Sequence, residues 1–455
     1  MVTKVKALPD SKVSFSGALK NGSALVALSS VIWGLGCLVR RQFVKGALFL
    51  AAEVGIILYM IRSGFYNLSK LITLGDVEQQ KVWNEAKSLF EYVDGDRSLV
   101  ILLYGIVTLA ILLCAVLMIR ISVKSAYQAE RTAKAGKAVP GVRQELSRLF
   151  DRDLHKPLLT LPILGVLVFT VLPLVFMTSM AFTNYSVLDN KLVLFDWVGL
   201  KNFQRMVDLN GSLGQTFWSV LGWTVSWALI ATFSNYILGM LLSLFINWKE
   251  IRAKKFWRFC FVLTVAVPHF VTLLIIRQML QPNGAANVLL QNMGLIGSPL
   301  PFFTDTTWAR VTVILINIWV SVPYVLLQIT GILQNIPAEL YESARVDGAG
   351  PVVTFFKITL PYMLFVTTPY LITSFTGNIN NFNVIFLTSK GMPRAVESTA
   401  GTTDLLITWL YKLTIDNQYF DVGAVIGIMT FVTLSIISLL TFHYSGSNKN
   451  EEGFR

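Results

Sequence analysis

Charge is scarce in this chain of 455 residues: Asp, Glu, Lys and Arg make up 14% of it, against 54% hydrophobic residues. Ordinary soluble domains carry about 25% charged residues, so a water-soluble globular protein is excluded and the chain reads as an all-α integral membrane protein. Cysteine and histidine are nearly absent. Cys37, Cys114 and Cys260 lie in or beside apolar stretches, and His155, His269 and His443 are scattered, so neither a disulfide framework nor a zinc-ligand spacing is readable. The phosphate-cradling pattern Gly-x-x-x-x-Gly-Lys-Ser/Thr is also missing, since Gly136-Lys137 is followed by Ala138. No nucleophile and base pair stands out, which disfavours a membrane-bound enzyme.

What the chain does have is long apolar runs. A hydrocarbon core of about 30 Å needs about 20 apolar helical residues, and about eight stretches satisfy that: Gly46 to Arg62, Leu99 to Ile121, Leu158 to Phe182, Phe217 to Trp248, Phe259 to Leu280, Val311 to Leu333, Tyr362 to Leu387 and Val422 to His443. The formal net charge of +12 then bears on orientation rather than on nucleic acid. Lys124, Arg131, Lys134, Lys137, Arg143, Arg148, Arg152 and Lys156 crowd one loop, and Lys249, Arg252, Lys254, Lys255 and Arg258 another. Both loops are expected to be cytoplasmic. The segments Ser63 to Ser98, Gln281 to Thr307 and Lys390 to Asp421 lack that bias and alternate as outside loops, so both termini are expected in the cytoplasm.

One apolar stretch, Ala24 to Val39, is short for a span and has Lys12 and Lys20 before it and Arg40, Arg41 and Lys45 after it. Positive charge at both ends argues for an interfacial or re-entrant helix. A ninth span stays open as an alternative, and a signal peptide is weaker because no small-residue cleavage site follows. The tail 445–455 is polar and expected to be disordered.

Two kinds of polar segment interrupt the apolar pattern. Between the sixth and seventh stretches, where alternation requires a cytoplasmic loop, Pro337 to Pro361 encodes a short helix, a sharp turn at Gly348 and a second helix restarted by Gly350-Pro351. Physics alone leaves open whether it is a surface helix or docks on a partner. Within the sixth stretch, Asn317, Ser321 and Tyr324 fall at helical spacings of four and three. In the seventh, Asn378, Asn380, Asn381 and Asn383 cluster beside Gly377, after Pro369. Buried amides are costly without partners. Such groups either tie helices together or line a path for a polar solute, whose hydroxyls suit amide donors and acceptors and whose ring faces suit Tyr324 and Trp319.

Glu342-Ser343-Ala344, with Gly348 after three intervening residues, then Ile358 and Leu360-Pro361, resembles the EAA signature of the membrane subunits of bacterial ATP-binding-cassette importers, with Ser343 in place of the middle Ala. From about Leu158 to His443 the chain also looks like the MalF-type subunit of maltose and maltodextrin importers. The resemblance is carried by Ala181 to Ser186, Gly199 to Phe203, Asn317 to Tyr324, Ala344 to Pro361, Asn380-Asn381-Phe382 and Ala400 to Leu406. Only Val187 to Gln215 follows the Phe-Thr-Asn-Tyr-Ser element, so the large periplasmic insertion of the enterobacterial form is absent.

The resemblance implies a type I importer permease fold with a core of about six spans. It divides the chain into an N-terminal region 1–157, a permease core 158–444 with its coupling loop at 337–361, and the tail. It implies sugar contacts at His269, Asn317, Val320, Ser321, Tyr324, Asn378 and Asn381, and contact with a cytoplasmic ATPase through Glu342, Ser343, Ala344, Asp347 and Gly348. The implied partners are a second, MalG-like permease, two copies of an ATP-binding subunit and an extracytoplasmic sugar-binding protein. ATP and Mg belong to the ATPase, and no cofactor to this chain. His269, Val265 and Gly377 depart from the enterobacterial pattern, which leaves open which oligosaccharide is carried. A stand-alone ion-coupled transporter is the alternative, and it needs carboxylates within spans, of which Glu53 is nearly the only example.

Overall fold

The computed structural model describes residues 14–444 except 85–86, 88, 94, 152, 249 and 396–397. The tail expected to be disordered, 445–455, lies outside the described residues. Among the described residues seven helices are long and apolar enough to cross a membrane, and a bent pair makes up to eight. Seven of the expected stretches run through Phe43–Thr73, Ser98–Lys134, His155–Met180, Ser212–Asn247, Thr306–Gln334, Pro351–Leu387 and Phe420–Leu440, the seventh span being interrupted at Asn380-Asn381 before a short last helix, Phe382–Leu387. The fifth departs from expectation. Lys254–Ala266 and His269–Met279 meet at 86°, because Pro268 has no N–H to continue the ladder and its ring disfavours helical backbone at Val267, which is extended with ψ 130°.

Two wide, π-type turns share a sequence cause. Leu167–Val171 in the third span and Phe355–Thr359 in the seventh are each followed two residues on by a proline, Pro173 and Pro361. Each proline would abut the carbonyl four residues back, Phe169 or Lys357, and the wide turn takes up that displaced carbonyl without ending the helix.

The chain packs as two compact units, the first running through Tyr185 and including Asp189–Trp197, the second comprising Ser186–Leu188 and everything from Val198 on. By packing, the third span falls in the first unit. In the first unit Ala24 to Val39 forms no single helix. It breaks into Ala24–Leu28 and Leu35–Leu38, each too short to cross. The free backbone groups of this broken segment are met by polar side chains of the first two spans. Ser122 Oγ receives the Gly34 N–H at 2.9 Å and donates to the Ser29 carbonyl at 3.0 Å, and Glu53 Oε2 receives the Trp33 N–H at 2.7 Å. Glu130, 3% exposed, gathers the Ser23 hydroxyl at 2.7 Å, Arg40 at 3.0 Å and Lys134 at 2.6 Å. Buried polar groups paired this fully fix one geometry. Between the first two spans a hairpin pairs Gln80–Asn84 with Leu89–Val93. Below it Lys70 bonds Asp96 at 2.9 Å, and with the N–H groups of Asp76 and Val77 holds that carboxyl below its ordinary range.

In the second unit the fourth and sixth spans form the central pair. Gly239 permits it: a Cβ there would lie 2.6 Å from Val325 Cγ1, so no side chain fits. One buried cluster centres on Trp223, Trp227, Leu273 and Ile316, and a second, nearer the Asn247 end, on Tyr236, Val325, Ile329 and Met363. Hydroxyl pairs cross between spans inside it, Tyr236 to Thr367 at 2.8 Å and Ser243 to Thr330 at 2.8 Å.

Candidate functional site

Between the two clusters of the second unit lies a cavity of about 820 Å³. The bend in the fifth span forms one wall through Val265, Pro268 and His269, and the sixth and seventh spans supply Tyr324 and Gly377 among others. Irregular backbone at this depth is tolerated where it lines a cavity, which is where the break falls. Of the residues singled out in the sequence, His269, Val320, Ser321, Tyr324 and Asn378 line the cavity, as does Trp319. Tyr324 and Trp319 are 53% and 72% exposed, so their ring faces are open for stacking.

Asn317 and Asn381 are not on that wall. They bond to each other, Asn381 Nδ2 to Asn317 Oδ1 at 3.3 Å, with the Ser321 hydroxyl also reaching Asn317 Oδ1 at 3.4 Å. Asn381 in addition caps Phe382–Leu387 by accepting the Val384 N–H. Asn378 is shared between roles: its backbone carbonyl receives the Trp227 indole at 3.1 Å and its Nδ2 donates to Thr232 at 2.9 Å, tying the seventh span to the fourth. Asn380 donates to the Thr376 carbonyl at 3.4 Å, and neither it nor Asn383 reaches the cavity.

Several lining residues went unread in the sequence, chiefly Asn235, Gln328, Tyr370 and Ser374. The signal was present for two of them. Gln328 extends the Ser321 and Tyr324 face by one more turn, and Asn235 is an amide within the apolar fourth span. Both matter because Asn235 Oδ1 and Gln328 Oε1 are buried with no hydrogen-bond partner. An unmet buried acceptor costs roughly 1–3 kcal/mol, a cost that a side-chain turn toward the cavity and a donor-rich solute there would relieve. Asn235→Leu is therefore expected to leave the thermal midpoint unchanged or raised while solute uptake falls. A lowered midpoint with unchanged uptake would give Asn235 a structural role only.

The segment 337–361 forms a second candidate site. Ala338–Val346 begins after Pro337 and closes in a reciprocal C-terminal cap, with Gly348 N–H on the Arg345 carbonyl at 3.1 Å and Ala349 N–H on the Ala344 carbonyl at 2.9 Å. Gly348 has φ +74°, the left-handed conformation the sequence anticipated. Glu342, Ser343, Asp347 and Gly348 are exposed and Ala344 is half-buried. Tyr341 points the other way, its hydroxyl 3.1 Å from Thr359 and its ring against the second cluster. An exposed apolar rim of Val346 and Val352 flanks the turn.

Comparison with known proteins places these features in a family. The sequence profile of the binding-protein-dependent transport system inner membrane component matches residues 235–445. The galactooligosaccharides transport system permease protein of Bacillus subtilis is 34% identical over 430 residues, covering 93% of this chain and 98% of that relative. The maltodextrin transport system permease protein of the same organism is 36% identical over 437 residues, covering 93% and 96%. A bacterial transporter for import of the acidic polysaccharide alginate shares the fold at a TM-score of 0.56 and 22% identity, over 68% of this chain and 99% of that one. The chain therefore belongs to the binding-protein-dependent transport-system inner membrane components, and is a multi-pass permease of an ATP-binding-cassette sugar importer rather than an enzyme.

Proposed function

We propose that this chain forms half of the translocation pathway for a maltodextrin or a related neutral oligosaccharide, with the cavity between the fifth, sixth and seventh spans as its sugar site. The observation that carries the reading is the composition of that wall: open aromatic faces at Trp319 and Tyr324 beside unmet amide acceptors at Asn235 and Gln328, with no Asp, Glu, Lys or Arg among the described residues of the lining. Such a surface suits pyranose rings and hydroxyl donors, and it presents no carboxylate, ammonium or guanidinium to pair with an ionised solute. Val320, Ser321, His269 and Asn378 complete the wall, and Asn317 with Asn381 braces the helices behind it.

On this reading Glu342, Ser343, Ala344, Asp347 and Gly348 meet a cytoplasmic ATPase, present in two copies that bind ATP and Mg. A second permease of the same family supplies the other half of the pathway and an extracytoplasmic binding protein delivers the sugar. The chain lies in the bacterial cytoplasmic membrane with both termini inside. An ion-coupled mechanism loses its main support, because the carboxylate of Glu53 already receives the Trp33 N–H.

The test is reconstitution of the chain with its copurifying partners, followed by measurement of which oligosaccharide stimulates ATP hydrolysis. Tyr324→Ala combined with Asn378→Ala is expected to raise the sugar concentration for half-maximal uptake by about tenfold or more, from a stacking face and one or two hydrogen bonds. Thr232→Val removes the same tie between spans without altering the cavity wall, and so separates packing from binding. Unchanged uptake kinetics in the double variant would take the cavity out of the sugar path.

A further inference from the structure

The helix Val142–Phe150, between the second and third spans, takes no part in either site. It carries Val142, Leu146, Leu149 and Phe150 at positions i, i+4, i+7 and i+8, a stripe along one side. All four are exposed, Phe150 at 68%. A nine-residue helix with an open apolar stripe needs a partner.

The neighbouring chain says where the stripe sits. Only four residues separate Phe150 from the third span, which starts at His155. Along one flank of the stripe Glu145 bonds Lys45 at 2.9 Å and Gln42 Nε2 at 3.0 Å, and Gln42 also donates to the Pro140 carbonyl at 3.1 Å. Lys45 and Gln42 stand at the start of the first span, Phe43–Thr73. The helix is thus pinned at both that flank and the C-terminal end to points where spans enter the bilayer. The charges in and around it are basic on balance: Arg131, Lys134, Lys137, Arg143, Arg148 and Lys156 against Glu130, Glu145, Asp151 and Asp153, of which Glu130 pairs with Lys134 and Arg40, Glu145 with Lys45, and Asp153 with Arg148 and Lys156.

We propose that Val142–Phe150 is an interfacial helix that seats its Val142, Leu146, Leu149 and Phe150 stripe in the acyl boundary of an anionic lipid leaflet, with Arg143 and its basic neighbours at headgroup level. Helices of this kind bury the apolar face about 5–10 Å into the headgroup and acyl boundary, and basic residues strengthen the hold on anionic lipid. The surface docks a membrane, not a protein.

The test uses the full-length chain with Cys37, Cys114 and Cys260 replaced, carrying one spin label at position 144, 146, 147 or 150, in lipid nanodiscs. In discs containing phosphatidylglycerol, labels at 146 and 150 are expected to collide preferentially with oxygen and those at 144 and 147 with a water-soluble nickel chelate. Pure phosphatidylcholine, or Arg143→Gln in the anionic discs, is expected to reduce the seated population, for the single substitution on the order of fivefold. Nickel access at all four positions in anionic discs would overturn the proposal. Equal depth in both lipids would overturn the anionic preference. Immobilisation of the 146 and 150 labels only after the partner ATPase is added would show a protein-docking face instead.

Discussion

Replacing Gly348 with proline is expected to abolish coupled sugar uptake while leaving the chain inserted in the membrane and its cavity intact. Gly348 sits at φ +74° and donates its N–H to the Arg345 carbonyl at 3.1 Å. Proline holds φ near −65° and has no N–H, so both the turn and the cap are lost, at about 3 kcal/mol or more. Each 1.4 kcal/mol is tenfold in an equilibrium, so the docking-competent loop falls on the order of a hundredfold. Gly348→Ala gives the graded case: no atom lies within 4 Å of its Cβ, leaving only the left-handed cost of about 1–2 kcal/mol. The measurement is sugar-stimulated ATP hydrolysis beside uptake in proteoliposomes. A Gly348→Pro chain that imports at the parental rate would remove this loop from the coupling path.

The second large effect concerns Asp404, in the segment Ala400 to Leu406 that carried part of the family resemblance. Its side chain is fully buried and receives three donors: Gly401 N–H at 2.7 Å, the Thr408 hydroxyl at 2.9 Å and Lys412 Nζ at 2.6 Å. Lys412 also donates to the Lys390 carbonyl at 2.8 Å, so one carboxylate organises the loop 389–412. Asp404→Ala strands a mostly buried ammonium and an N–H, and breaking such a pair costs about 3–5 kcal/mol. Against the 5–15 kcal/mol by which folded domains exceed their unfolded states, that is a major loss. A drop of several degrees in the thermal midpoint is expected, smaller for Asp404→Asn, which keeps the shape. Equal midpoints for Asp404→Ala and the parent would show that the network contributes no net stability.

Span positions were legible because lipid leaves the backbone few choices, and Gly348 because a left-handed cap demands glycine where a helix must stop. Neither the bend at Pro268 nor the two wide turns was read. A proline in an apolar run signals disturbance, but whether it breaks the helix, as at Pro268, or is absorbed, as at Pro361, depends on neighbours that the pattern does not show. The same limit governs the amides. Asn317, Asn378 and Asn381 look alike in sequence, yet Asn381 donates to Asn317 Oδ1, Asn317 Nδ2 is left buried without a partner, and Asn378 both ties spans and faces the cavity. Hydropathy registers that an amide is costly. It does not register who meets it.

The wide turn Phe355–Thr359 carries a mechanical meaning beyond its origin in Pro361. The hydroxyl of Tyr341 joins the helix Ala338–Val346 to Thr359, the last residue of that turn. From Thr359 the helix runs on to Gly377 and Asn378 at the cavity. The seventh span is thus held to that helix at its wide turn, and further along it forms a wall of the cavity. Under the coupling role proposed for Ser343, a push there would be spent first in flexing that joint, and the stiffness of one wide turn would set how much of a partner's stroke reaches the proposed sugar site.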